Sequence, residues 1–325
     1  MSEPFTLCFR LDDCCSSGDG RQFSVAEFLQ QRLTAADIAR LPELSVAGYI
    51  RLDCRAVELD TRLDDASQLT IDLPGHLEDE VDDQWFLLWE NSELMAIFKP
   101  HCLPVSRTTR NLYNTLISLV RRQTVYADAR LLHRLDSETA GIILLAKDGA
   151  ADRRWKPQLD QLLIKKIYHA WVDGVPQWRS KRLTCDLAER LGSVIRSQMY
   201  VVDDAALAAG QTYLKPRSSK TCFEVLARVA GKSLLSCQLL SGRKHQIRAQ
   251  LSYLGYPLVG DKIYGHQGRF YLKRIEQGLA DADFTILGSK HHLLQCAALT
   301  LMIDGEAVEI VVPPALRLGL PGIML

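Results

Sequence analysis

Residues 133–141, HRLDSETAG, place one carboxylate, Asp136, at the entrance of an apolar run, residues 142–146, that ends at Lys147. Asp136 follows Leu135, precedes the turn-prone Ser137 and lies shortly before a segment too apolar to face water. An acid in that setting caps a turn, is paired, or reacts. To react as a nucleophile or a base it must be ionised, and burial disfavours the ionised form, so an adjacent cation is physically required. His133 stands three residues before Asp136, but no further histidine or acidic ligand cluster accompanies the two, so no metal is expected.

The elements that would position this acid are legible from periodicity. Alternation predicts strands at 86–88 and 94–98, after which Pro100 and Pro104 break the chain into a loop. Residues 111–120 read as a helix, 139–146 as a buried strand, and 150–163 as an amphipathic helix returning to a strand at 166–173. In that last strand Tyr168, Ala170 and Val172 share one face and Ile167, His169 and Trp171 the other, which holds Tyr168 on rigid backbone. Residues 175–220 are polar and give no firm period. A strand at 233–240 then leads through Ser241 and Gly242 into a helix beginning near Arg243. There Ile247, Leu251 and Leu254 form the packed stripe, Arg248 flanks it and Gly255 stops the helix. Upstream, residues 23–74 read as a small module. One helix passes through Val25, Phe28, Leu29 and Leu33, a second covers 35–41, and strands lie near 49–52 and 69–73. Strands interleaved with helices, without regular βαβ spacing, predict an α+β fold.

The chain of 325 residues has a net charge of zero that conceals a division. Residues 1–84 hold 7 arginines, no lysine and 18 acids, a balance of −11, and the remainder balances at +11. The acidic run Glu78, Asp79, Glu80, Asp82 and Asp83 reads as a solvated linker, dividing the chain into 1–84 and 85–325. A basic larger part suits a polyanion, because phosphate neutralisation supplies most sequence-independent affinity for nucleic acid. No apolar stretch approaches the ~18 residues that span a bilayer, and the first residues carry acids rather than a signal pattern, so a cytoplasmic protein is expected. Nine cysteines without a CxxC pair, among them the adjacent Cys14 and Cys15 and the single Cys54, Cys102, Cys185, Cys222, Cys237 and Cys296, read as reduced and partly buried thiols.

The string HRLDSETAG with its apolar run and Lys147 resembles the HRLDxxTSGxxxxAK signature of the RluA family of pseudouridine synthases. Three further elements of that family follow its order. Lys99, Pro100, Leu103, Pro104 and Val105 resemble its KPxGxPV element, and Lys166, Tyr168 and Ala170 its KxYxA strand. Gly242, Arg243, His245, Gln246, Ile247, Arg248, Leu251, Gly255, Pro257, Gly260, Asp261, Tyr264 and Gly265 resemble its TGRxHQIRxHLxxxGxPxxGDxxYG block. The resemblance covers about three-quarters of the chain. Ala140, Cys102, Lys244 and Gln295 depart from it, standing where a serine, a glycine, a small hydroxyl residue and a histidine are usual.

The resemblance implies a mixed, mainly antiparallel sheet flanked by helices, and isomerisation of uridine to pseudouridine in structured RNA without a cofactor. Ribosomal RNA, of the large subunit, is the expected substrate. Transfer RNA, or a non-catalytic RNA-binding factor on the same scaffold, are the alternatives. By the same resemblance Asp136 is the catalytic carboxylate, Arg248 its ion-pair partner and Tyr168 the aromatic that stacks on the extruded base. Arg134 would enter the RNA where the base has left, and His133 would orient the loop beside the substrate. Lys99, Arg243, Lys244 and Lys165 are candidate phosphate contacts. The N-terminal module resembles the alpha-L RNA-binding module, except that it is acidic. A monomer with no membrane attachment is expected.

Overall fold

Two sheets, each with its own apolar core, organise the chain. The structure is a computed structural model describing residues 5–11, 22–65 and 67–320. Cys14 and Cys15 lie outside the described residues. Among the described residues no helix is long and apolar enough to cross a membrane.

The first sheet has the order β1-β4-β2-β3 and two helices packed on it. In chain order these elements are β1 (Phe5–Arg10), α1 (Val25–Gln30), α2 (Ala35–Val46), β2 (Ile50–Leu52), β3 (Arg55–Ala56) and β4 (Gln68–Leu73). Ser24 and Glu27 close α1 with a reciprocal capping box. β1 was not legible in the sequence. The second helix runs five residues beyond the expected 41, through Pro42, because burying Leu41 and Leu44 outweighs the one hydrogen bond that proline removes.

The second sheet has eleven strands. Its leading hairpin is β5 (Phe86–Glu90) and β6 (Leu94–Lys99), followed by α3 (Leu116–Gln123), β7 (Arg130–Leu131) and β8 (Ala140–Ala146). Next come α4 (Gly149–Trp155), α5 (Leu159–Leu162), β9 (Leu163–Asp173), β10 (Ser180–Arg190), β11 (Tyr200–Val201), α6 (Asp204–Ala208), β12 (Tyr213–Val229) and β13 (Lys232–Leu239). The chain continues through α7 (Gln246–Tyr253), α8 (Arg269–Glu276), α9 (Asp281–Leu287), β14 (Leu294–Ile303) and β15 (Glu306–Val311). The spatial order is β11-β10-β12-β13-β9-β14-β8-β6-β5, with β15 on β14 and β7 on β8. Among the described strands only β14 with β8 pairs in parallel. The fold is therefore α+β with a mainly antiparallel sheet.

Three readings of this part change. The single helix at 150–163 is two short helices, because Pro157 interrupts it. The stretch 175–220 contains β10 and the start of β12, paired antiparallel, with β11 and α6 in the connection between them; much of both strands is open to solvent, so the sequence lacks an apolar stripe. Helix α3 begins at Leu116 rather than at 111, because residues 111–114 are drawn to the first sheet. The Glu78 carboxylate accepts the N–H groups of Leu112, Tyr113 and Asn114 at 2.8, 2.8 and 2.6 Å, and the Asp79 carbonyl accepts from Asn111 at 2.9 Å. The start of the acidic run is thus a docked clasp and not a solvated linker. Tyr113 completes the seam, buried in the first sheet's core, its hydroxyl donating to Asp37 at 2.5 Å and accepting the Thr34 N–H at 2.9 Å.

At Gly141 the backbone has φ +108°, and a Cβ there would stand 2.2 Å from the carbonyl oxygen of Cys296. Only glycine lets β14 approach β8 just after the turn that carries Asp136.

Tyr113→Phe removes both hydroxyl bonds across the seam while keeping the ring. The expected outcome is a stability loss of about 1–3 kcal/mol in urea denaturation, the range for a buried bond whose partners stay behind. An unchanged midpoint would show that the ring alone holds the two parts.

Candidate active site

Asp136 opens a tight turn in which the Thr139 N–H returns to its carbonyl at 3.0 Å, with Ser137 and Glu138 in the middle. Two residues expected to meet substrate hold this turn from within. Lys99 is fully buried, and its ammonium donates to the carbonyls of Pro100, Leu103 and Ser137 at 2.8, 2.9 and 2.8 Å. It is therefore no phosphate contact; three carbonyls take its donors, and burial lowers its pKa to about 7. His133 turns its Nε2 toward β8 and accepts the Leu144 N–H at 3.0 Å. Burial holds that ring neutral, with a pKa near 4.

The Asp136 carboxylate meets the end of Arg248 on α7, Nη1 to Oδ2 at 2.8 Å. Arg248 does not stop there. Its Nε and Nη2 form a fork on the two oxygens of Asp261, at 2.7 and 3.0 Å. Asp261 in turn accepts the N–H groups of Ile263 and Tyr264 at 2.9 and 3.0 Å. Arg248 and Asp261 have side chains 6% and 0% exposed, and Asp136 is 30% exposed, so only Asp136 opens outward. Burial pushes the Asp136 carboxyl upward, but Arg248 overrides it and holds the group down at about 2. Asp261 is depressed further for the same reasons. His245 Nε2 lies 3.7 Å from the same Asp136 oxygen. Burial and Arg248 lower that imidazole to about 4, so it is neutral at pH 7 and Arg248 supplies the positive charge.

A pocket opens on this carboxylate, lined by Arg134, Asp136, Tyr168, Arg243, Ile247 and Leu294 among others. Tyr168 reaches it from β9 on the face expected, with Cys296 opposite it in the register. Burial raises its phenol well above the ordinary value, so it stays protonated. Arg134 is exposed at the rim. Arg243 lines the pocket too, its Nε donating to the Ser218 carbonyl at 3.0 Å. Lys244 is exposed and turned toward Glu189, 3.7 Å away, outside the pocket lining. Lys165 is exposed on the β9 face opposite Tyr168, so strand alternation carries it away from the site. A larger concavity of about 320 Å³ opens between Phe98, His291 and Arg317 and contains none of these groups.

What aims Arg248 is the anchoring of α7. The helix starts at Gln246, three residues later than expected, because His245 has left-handed backbone, φ 54°, and the Gln246 amide folds back to accept from the Arg243 N–H at 3.0 Å. Gln246 also donates to Thr221 at 2.8 Å, and Thr221 donates to Gln250 at 2.5 Å. This buried polar ladder fixes the helix against β12 on the face adjacent to Ile247 and Leu251. Sequence reading quoted Asp261 and His245 without giving either a role, although an acid so near a buried arginine was the signal for the former.

The chain is similar to known proteins along most of its length. A family profile described as RNA pseudouridylate synthase matches residues 93–253. An uncharacterised RNA pseudouridine synthase of Synechocystis is 29% identical over 293 residues, covering 87% of this chain and 94% of that protein. Ribosomal large subunit pseudouridine synthase D of Pseudomonas aeruginosa is 31% identical over 204 residues, 59% of each chain. Among solved structures, human RNA pseudouridylate synthase domain containing 1 superposes with a TM-score of 0.57 at 20% identity, covering 74% of this chain and 88% of that one.

Removing the cation tests the arrangement. Arg248→Ala leaves Asp261 buried with no ion partner and is expected to lose about 3–5 kcal/mol in urea denaturation. Arg248→Lys keeps a charge but cannot fork onto one carboxylate while reaching another, so it should recover only part of that loss. Wild-type stability in Arg248→Ala would contradict the assigned ion triad.

Proposed function

The chain belongs to the RluA family of RNA pseudouridine synthases, and on that premise we propose that it isomerises uridine to pseudouridine in ribosomal RNA, with Asp136 as the reacting carboxylate. The observation that carries this reading is one ionised acid facing a pocket while its cation is buried behind it. The reaction breaks the bond between N1 of uracil and C1′, turns the freed base and joins C5 to C1′. The proton lost from C5 is balanced by one gained at N1, so the product is an isomer and no redox partner is required. A carboxylate starts this by attacking covalently or by taking a proton from C2′, and either needs Asp136 deprotonated, which Arg248 secures.

A uridine in a stem or stacked loop hides these atoms, so the nucleotide must be extruded, at about a few kcal/mol. Tyr168 replaces the lost stacking as a neutral, rigidly mounted ring, and Arg134 at the rim fills the space left in the RNA. Leu239, Ile247 and Leu294 give the pocket an apolar wall that excludes water. Arg243 and the +11 balance of residues 85–325 supply the grip on phosphate. The choice of ribosomal RNA rests on the relatives named for the large ribosomal subunit. We further assign residues 1–84 as an acidic module, docked through Tyr113 onto the catalytic domain of residues 85–325, in a monomer acting in the cytoplasm.

The module's own arginines support giving it little of the RNA grip. Arg51 pairs with Asp72 at 2.7 Å, Arg62 with Glu27 at 3.1 Å, and Arg40 donates to the Pro74 carbonyl at 3.1 Å. These cations are committed within the module.

Asp136→Asn is expected to abolish pseudouridine formation while RNA affinity stays within a few-fold, since shape is kept and only the reacting charge is lost. Mapping pseudouridine in total RNA from cells with and without the gene, and with this variant, measures both outcome and target. Turnover by Asp136→Asn would refute the assignment, and loss of a mark from transfer RNA alone would move the substrate. On RNA titration at several salt concentrations, Arg243→Gln should weaken binding and lower the salt slope by about one, whereas Arg55→Gln should change neither. The reverse pattern would place the grip on the module.

A further inference from the structure

A second ion pair sits directly behind the first. Glu138, two residues after Asp136, receives both oxygens' worth of contact from Lys262, at 2.9 and 3.0 Å, and a backbone N–H from His292 at 3.1 Å. Arg274 reaches it from solvent at 3.4 Å. Lys262 is 6% exposed and Glu138 17% exposed, and neither lines the pocket. Lys262 is the residue after Asp261. One dipeptide therefore reads both acids of the turn, with Asp261 aiming Arg248 at Asp136 while Lys262 grips Glu138. The dipeptide itself cannot slide, because Gly260 before it has φ +81° and packs where a Cβ would stand 2.1 Å from the His291 carbonyl oxygen. Lys262 also donates to the Lys290 carbonyl at 2.7 Å.

The flanking contacts close the same turn. His101 Nδ1 bonds the Glu138 carbonyl at 2.7 Å, and Thr139 and His292 share a bond at 2.8 Å. Glu138 carries the formal charge among these anchors. Burial opposes that charge, His292 and Lys262 favour it, and since His292 is itself held neutral at about 3 by burial and Arg248, Lys262 is the buried cation in contact with Glu138 at neutral pH, with Arg274 as a more exposed second partner.

We propose that Glu138 and Lys262 are positioning residues for Asp136, tying the turn to the segment that orients Arg248 so that the reacting carboxylate keeps its direction into the pocket. This rests on the reading of Asp136 as the reacting group. A misplacement of about 1 Å at a reacting centre can slow a reaction on the order of 100-fold.

The test uses the full chain and an in-vitro transcript of large-subunit ribosomal RNA carrying the uridine found by mapping. Single-turnover rate, RNA affinity and thermal melting are measured for Glu138→Gln, Lys262→Met, their double variant and Lys262→Arg. The expected result is a rate lowered about 10- to 100-fold in each single variant, with RNA affinity within twofold. The double variant should be no slower than the slower single one, because both remove the same tie. Lys262→Arg, which keeps the charge, should restore the rate to within about threefold. A full rate in Glu138→Gln, additive losses in the double variant, or a rate loss that follows only the folded fraction would overturn the proposal. If Asp136→Asn is inactive and Glu138→Gln is not slowed, only the positioning role fails; if Asp136→Asn turns over, the underlying reading fails first.

Discussion

A carboxylate withdrawn from water must be either neutralised or countered, and the structure around Asp136 is the consequence of countering it. Arg248 supplies the charge, yet a guanidinium 6% exposed is itself too costly to leave half-satisfied. Asp261 solves that second problem with a fork and is solved in turn by two backbone N–H groups. The triad carries one net negative charge, and exposure places it on the member that opens to the pocket. The neighbouring His245 and His292 stay neutral, so no second cation competes for the acid. Because the folded carboxyl lies below its ordinary value of 3.8, its contribution to stability is present above that pH and is lost as pH falls toward about 2.

The same logic of committed charges explains the acidic module. Its carboxylates do not only repel; Asp37 and Glu78 accept from the hydroxyl of Tyr113 and from three successive backbone groups of the segment before α3. Residues Leu116 and Ile117 at the start of α3 donate to the carbonyls of Pro104 and Val105, and Lys99 holds Leu103 and the Asp136 turn together. The module is thus packed onto the part of the chain that borders the turn.

The acid, the arginine and the tyrosine were legible as site residues through the family motifs that carry them, while periodicity supplied only the elements they sit on: a turn before an apolar strand, a helix beside a packed stripe, a strand face. The alternation in β9 placed Tyr168 and Trp171 on opposite faces, and they do belong to separate cores. Lys99 misled because a lysine beside two prolines reads as surface, whereas three converging carbonyls make a buried ammonium tolerable. Cys54 and Cys102 misled in the other direction and are exposed. Cys102 stands where the family resemblance leads to expect glycine, and its φ of 60° shows that the backbone there keeps the left-handed form a glycine would favour. The Glu78 clasp and the Glu138–Lys262 pair join residues 34 and 124 positions apart, and no local period carries such distances.

The central claim is that Asp136 is held ionised by Arg248 despite its burial. It is tested most directly by following the carboxyl carbon of Asp136 by nuclear magnetic resonance in carbon-13-labelled protein, with Asp136→Asn giving the assignment. The account predicts no titration of that signal between pH 7 and pH 4, its midpoint lying near 2. A midpoint at pH 5 or above would mean that desolvation prevails over the ion pair, and would contradict the account.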